Sequence, residues 1–179
     1  YELTGRDWSS DVCSSDLIQF SGGYLDVAQW LYNTFKIAPK DANSAFQLGC
    51  ANGHLEIIKW LYNTFHITSE IVTVFGNDAF GWCCANGHLD VAQWLHEMFH
   101  VTDEYVNTCG AFQASCGNGH WHVAKWLCYS FHITHKSASW AFRLCCMYGH
   151  LEIANWVCDV WGWGNLDKGN PISPSAPSS

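Results

Sequence analysis

Cysteine and histidine recur together along the chain, four positions apart, in a pattern that could bind a metal ion. The pairs are Cys50 and His54, Cys84 and His88, Cys116 and His120, and Cys146 and His150. A thiolate and an imidazole on one helical face can bind zinc, and a histidine can also act as a general base. These residue types therefore permit metal binding or acid–base catalysis.

The residues around each pair favour a structural role instead. A glycine stands directly before each histidine and is expected to end a helix there, so the two side chains should not share a helical face. Cys-x-x-Cys pairs, which are typical of zinc proteins, do not occur, and no nucleophile recurs beside the histidine. We expect no metal, no cofactor and no catalytic residue, with a metal-binding repeat protein that uses the Cys/His pairs as an alternative.

The elements that carry these residues are copies of one unit. Five glycines, at spacings of 30, 34, 32 and 30 residues, are each followed seven positions later by a tryptophan, beginning with Gly23 and Trp30. Such a period is typical of stacked helical units. We expect the recurring residues to be structural, with the tryptophans in the core; in the four later copies they are Gly53, His54, Trp60, Gly87, His88, Trp94, Gly119, His120, Trp126, Gly149, His150 and Trp156.

Each unit is predicted to be a helix, a tight turn and a second helix. Apolar residues after the glycine fall at helical spacing, and a shorter apolar segment precedes it, with Asp41 or Asn43 as a candidate N-cap in one unit. The glycine itself suits a turn that needs a positive φ angle. Seven to eleven residues between the units predict plain loops.

Three short motifs in each unit resemble the ankyrin repeat family. Ser44-Ala45-Phe46 stands where the family has Thr-Pro-Leu, Gly49-Cys50 replaces two alanines, and Gly53-His54-Leu55 follows the turn. The resemblance covers about residues 20 to 163, and its Trp-Leu variant is similar to arrays of large DNA viruses and protists. Because Phe65-His66 replaces the family's Gly-Ala, we expect an all-α, or nearly all-α, ankyrin-like helix-turn-helix solenoid with reduced or absent β-hairpins.

The two ends of the chain differ from the array. Residues 7–17 resemble a translated sequencing adapter, because codons for Asp7 to Leu17 reproduce a standard short-read adapter in one frame. We therefore expect residues 1–17 to be an unstructured artefact, the genuine chain to begin near Ile18, and the protein to be a fragment. The predicted organisation is a repeat array over 18–163, with a half repeat at 18–38, repeats at about 39–70, 71–103, 104–135 and 136–163, and a disordered Pro/Ser-rich tail at 164–179.

Composition narrows the possible partners. The formal net charge is −8 and no basic block occurs, so nucleic acid is not an expected partner. No run of eighteen apolar residues is present, so we expect no membrane partner. Cysteines without a secretory signal indicate a reducing compartment, the cytoplasm of the organism itself or of a host.

The family resemblance implies a non-enzymatic scaffold or adaptor that binds a protein on the concave face of the stack. Partner-binding residues are expected where the units differ, because packing demands similar residues in every unit. The candidates are Leu48, Trp82, Ala114, Leu144, Met147 and Tyr148. Trp82 could also simply cover a neighbouring unit. An alternative is a fragment of a larger protein whose lost N-terminal region carried an enzymatic or F-box-like domain.

Overall fold

The described residues of the computed structural model, 25–35, 39–69, 72 and 78–163, form helices joined by short turns and contain no strand. The all-α prediction is confirmed, and no β-hairpin occurs in this part of the chain. The helices are α1 Leu25–Phe35, α2 Pro39–Asn52, α3 Leu55–Phe65, α4 Ala79–Ala85, α5 Leu89–Phe99, α6 Asp103–Cys109, α7 Ala111–Gly117, α8 Trp121–Ser130, α9 His135–Tyr148 and α10 Leu151–Val160.

Helix pairs stack into a single row. The helix before each turn packs against the helix after it, as in α2 with α3, α4 with α5, α7 with α8 and α9 with α10. The helices before the turns also pack on one another in the order α2, α4, α7, α9. Equivalent positions of successive units therefore lie side by side along the stack.

Glycine shapes the turn within each unit. The four glycines Gly53, Gly87, Gly119 and Gly149 have φ angles between 77° and 86°, a left-handed conformation that costs other residues about 1–2 kcal/mol. After Gly87 the amide of His88 donates to the carbonyl of Cys83 at 2.9 Å, which closes the end of α4. The carbonyl of the same histidine then accepts the amide of Ala92, which begins the hydrogen bonding of α5.

The predicted N-cap and the predicted long loops are wrong. Helix α2 begins at Pro39, so Asp41 and Asn43 lie inside the helix, since proline suits a first helical turn that has no amide partner. The connections after α5 and α8 shorten to residues 100–102 and 131–134 because α6 and α9 begin early, while the segment between Phe65 and Ala79 lies partly outside the described residues. Threonine side chains permit this at both: Thr102 accepts from the amide of Tyr105 at 3.3 Å and Thr134 from that of Ser137 at 3.2 Å.

The core is built from aromatic contacts between successive units. Phe46, Phe80 and Phe112 are fully buried, and each ring lies 6.4 Å from the tryptophan of the following unit. Those partners are Trp94, Trp126 and Trp156, which are half-buried against the core. Trp30, in α1, is 60% exposed.

Candidate functional site

The cysteine of each Cys/His pair is separated from its histidine by the turn. Cys50, Cys84 and Cys116 are fully buried in the core, and burial raises the pKa of the Cys50 and Cys84 thiols well above the usual range. Among the described residues, no three His, Cys, Asp or Glu side chains are grouped so that they could hold a metal ion. The buried cysteines pack as small apolar side chains in the core.

In three of the pairs the histidine, His88, His120 or His150, faces the preceding unit. His88 Nε2 lies 3.0 Å from the carbonyl oxygen of Ala51, and Asn86 Nδ2 donates to the same oxygen at 2.8 Å. Asn118 repeats the contact one unit later by donating to Ala85 at 2.7 Å, and His120 also bonds to the Ala85 backbone. The Asn-Gly-His turn thus binds adjacent units together, and a base role would have to compete with this bond.

Sequence reasoning missed the asparagine of this contact. Asn52, Asn86 and Asn118 each precede the turn glycine, and the pattern was interpreted only as the end of a helix. A helix end does not require asparagine at this position, so the recurrence of asparagine there could have indicated a contact between units.

The predicted partner-binding positions divide into two groups. Leu48, Trp82, Ala114 and Leu144 occupy equivalent positions of α2, α4, α7 and α9, so they follow one another along the stack. Leu48 and Trp82 are exposed, while Ala114 and Leu144 are half-buried. Met147 and Tyr148 are exposed in the last turn of α9, at the end of the described stack.

Trp82 and Ala114 line the same cavity, which has a volume of about 320 Å³. The other lining residues are Asp78, Gly81, Ala85, Tyr105 and Cys109. Trp82 is 54% exposed and has the largest side chain in the lining, while Gly81, Ala85 and Ala114 are too small to fill the space beside it. The cavity therefore lies between α4 and the α6–α7 pair.

A break in the helix before α7 positions two of these residues. Gly110 has a φ angle of 76° and separates α6 from α7, whereas α2 and α9 each run unbroken for 14 residues. Helix α6 carries Tyr105 and Cys109 into the cavity wall. Sequence reasoning missed both residues because it assigned this stretch to a loop between units.

The ionisable groups of the cavity surround one carboxylate. Asp78 caps α4 by accepting the amide of Gly81 at 2.7 Å. Burial, together with the nearby Asp78 charge, raises the pKa of the Tyr105 hydroxyl and raises the pKa of the Cys109 thiol to about 12. Both groups keep their protons at neutral pH, so neither is an activated nucleophile or base. The arrangement suits binding better than catalysis.

No helix among the described residues has the length and apolar character that crossing a membrane requires.

The comparisons with known proteins agree with the stack of helix pairs. Residues 17–104 match the family model of ankyrin repeats, in three copies. Neither a curated protein nor a solved structure matches the chain. Beyond residue 104, α7–α8 and α9–α10 repeat the same left-handed glycine turn and the same contact between phenylalanine and tryptophan. Residues 17–104 therefore belong to the ankyrin repeat family.

Proposed function

We propose that this protein is a non-enzymatic scaffold or adaptor that binds a protein partner on the face formed by the helices before the turns, α2, α4, α7 and α9. Ankyrin repeats are generally protein–protein interaction modules. The observation that carries the proposal is Trp82, a large aromatic side chain that stays half exposed beside an open apolar cavity. Tryptophan next to a pocket is typical of the anchor residues that dominate binding energy.

The surroundings of Trp82 support an anchor role. The ring stands on a helix fixed at both ends: Asp78 caps its start, and the Ala85 carbonyl at its end accepts a bond from Asn118. A rigid support lowers the entropy lost when a partner binds. Leu48, Ala114 and Leu144 extend the same row and would surround the anchor, and Met147 and Tyr148 would contact a partner that reaches the end of the stack.

Selection of peptides from a random displayed library tests this proposal. Peptides enriched on the full chain should bind Trp82→Ala at least about tenfold more weakly, which is the loss typical of removing an anchor. The matched control is Trp140→Ala, because Trp140 is also half exposed on a helix before a turn but does not line the cavity. The free energy of unfolding should change by less than about 1 kcal/mol in both variants, since about half of each side chain is exposed to solvent.

Equal binding of the enriched peptides to the wild-type chain and to Trp82→Ala would refute the anchor. If Trp82→Ala lowers the free energy of unfolding as much as it lowers the free energy of binding, Trp82 packs the fold and is not a binding anchor. The cytoplasmic location, the absence of a nucleic-acid or membrane partner and the lack of enzymatic activity stay predictions from the sequence.

A further inference from the structure

We propose that the cavity beside Trp82 receives a basic side chain, lysine or arginine, from the protein partner. The inference rests on the proposed function and names the chemistry that the same surface would recognise. Its basis is the combination of an apolar wall, an exposed indole and one carboxylate.

The cavity has the shape that a long basic side chain needs. Its volume of about 320 Å³ is open on one side, and Gly81, Ala85 and Ala114 leave an apolar floor beside the indole of Trp82. The methylene stem of lysine or arginine packs well on such a surface while its charged end reaches a polar group. An indole face also attracts a cation directly.

Asp78 supplies the polar group at the far end. Its carboxylate accepts the amide of Gly81 at 2.7 Å and also interacts with the Tyr105 hydroxyl and the Cys109 thiol. An ionised carboxylate has about four acceptor positions, so it can bind a cation as well. Burial is the main cause of the raised pKa values of Tyr105 and Cys109, and the negative charge of Asp78 adds to it, because a nearby negative charge disfavours a second one.

The described residues supply no cation to this cavity. None of the lining residues is lysine or arginine, and the positions one helical turn after Trp82 are Ala85 and Asn86. Two other tryptophan rings, the half-buried Trp121 and the exposed Trp140, already have a cation from this chain: Lys125 Nζ lies 4.5 Å from the ring of Trp121, and Arg143 lies 5.1 Å from that of Trp140. A partner must therefore bring the positive charge, and the formal net charge of −8 favours its approach.

An apolar side chain fits the cavity less well than a basic one. An apolar side chain that covers Asp78 would remove the carboxylate from water without offering it a hydrogen bond or an opposite charge, and burying a charged group in this way costs free energy. A basic side chain compensates for that loss with a charge-assisted hydrogen bond. The carboxylate thus favours a lysine or arginine side chain of the partner over an apolar side chain of similar size.

Peptides enriched on the full chain, with binding that depends on Trp82, provide the test. They should share a lysine or arginine at one position, and Asp78→Asn should weaken their binding about tenfold. Asparagine keeps the N-cap acceptor of α4 and removes only the charge. The matched control is Asp90→Asn, which removes one charge from the first turn of α5, outside the cavity, and should change binding less than twofold.

A second readout separates charge from packing. Replacing the basic residue of the peptide by norleucine or citrulline should weaken binding to the wild-type chain and leave no further difference between wild type and Asp78→Asn. Trp82-dependent peptides that share no basic residue, or that bind Asp78→Asn as tightly as wild type, would overturn this inference but leave the proposed function intact. Enriched peptides that do not depend on Trp82 would contradict both.

Discussion

The interior units and the last described unit have nearly the same sequence pattern but different surroundings. The units α4–α5 and α6–α8 are packed between two neighbouring units and α2–α3 has a complete neighbour on one side, whereas no described unit lies on the outer side of α9 and α10. Equivalent residues differ accordingly: Cys50, Cys84 and Cys116 are fully buried and Cys146 is exposed, and Leu55 and Leu89 are half-buried while Leu151 is 63% exposed.

This difference distinguishes structural features that form within a single unit from contacts that need a neighbouring unit. The turn at Gly149 has the same left-handed angle as the interior turns, so the turn does not depend on coverage. The contact with the next histidine does depend on it: a Cβ atom at Gly87 would meet His120, whereas one at Gly149 would meet nothing within 4 Å. Stability of the stack should therefore come mainly from the interfaces between units.

The largest expected effect compares the same phenylalanine in two units. Phe80→Ala should lower the free energy of unfolding by about 3–5 kcal/mol, because the ring is fully buried and touches Tyr105, Trp126 and Phe131. Phe142→Ala should cost less than about half of that, since this ring is only half-buried. Urea denaturation measures both, and equal losses would mean that the outer side of α9 is covered in solution.

The turn glycines give the next comparison. Gly149→Ala should cost about 1–2 kcal/mol, which is the strain of alanine at a positive φ angle. Gly87→Ala should cost at least about twice as much, because its methyl group would lie 2.5 Å from His120 Nδ1 and push the ring away from Ala85. A matching loss for both variants, measured by the same denaturation, would show that the histidine contact contributes little.

The ends of the second helices also differ along the stack. The residue that follows α5, His100, has a φ angle of 51°, while the residue that follows α8, Phe131, is extended. His100→Gly should raise the free energy of unfolding by about 0.5–1 kcal/mol, because glycine adopts the left-handed conformation at no steric cost. His132→Gly is the control and should give no gain; a gain of equal size would point to a general effect of removing histidine.

The smallest effect is a dependence of stability on pH that comes from the turn histidines. Burial lowers the pKa of His54, and the nearby charge of His88 lowers it further. Burial also lowers the pKa of His120, and the nearby charges of His88 and His150 lower it further. The unfolded chain therefore takes up protons more readily, so the free energy of unfolding should fall as the pH drops through about 6.5 toward the lower pKa of the folded state. The urea midpoint should be lower at about pH 5.5 than at about pH 7.5.

The double variant His54→Gln, His120→Gln isolates this contribution. Its midpoint should depend less on pH than that of the wild-type chain over the same range, because the two depressed groups are gone. An equally steep dependence in the variant would assign the effect to other groups.

Local patterns predicted the parts of the fold that lie within one unit. The spacing of apolar residues gave the two helices, and the glycine gave the turn, because both depend on neighbours a few positions away. Helix starts are predicted less well: the sequence pattern predicts a loop for the segment that contains Tyr105, whereas Thr102 caps a helix there. Polar caps and loop residues look alike in a single sequence.

The candidate site was predicted only in part. Trp82 and Ala114 were singled out as positions where the units differ, and both line the cavity. Asp78, Tyr105 and Cys109 were missed, because their meeting depends on how α6 lies against α4 after the break at Gly110.

The sequence by itself determined the repeat, its period, the left-handed turns and the pairing of helices, since each of these is encoded by residues within about thirty positions. Only the tertiary structure decided which copies are buried and which are exposed, and which side chains from different units share a cavity. The physical reason is that burial and contact depend on the neighbouring unit, so the same motif packs around Cys116 in the interior and leaves Cys146 in contact with solvent.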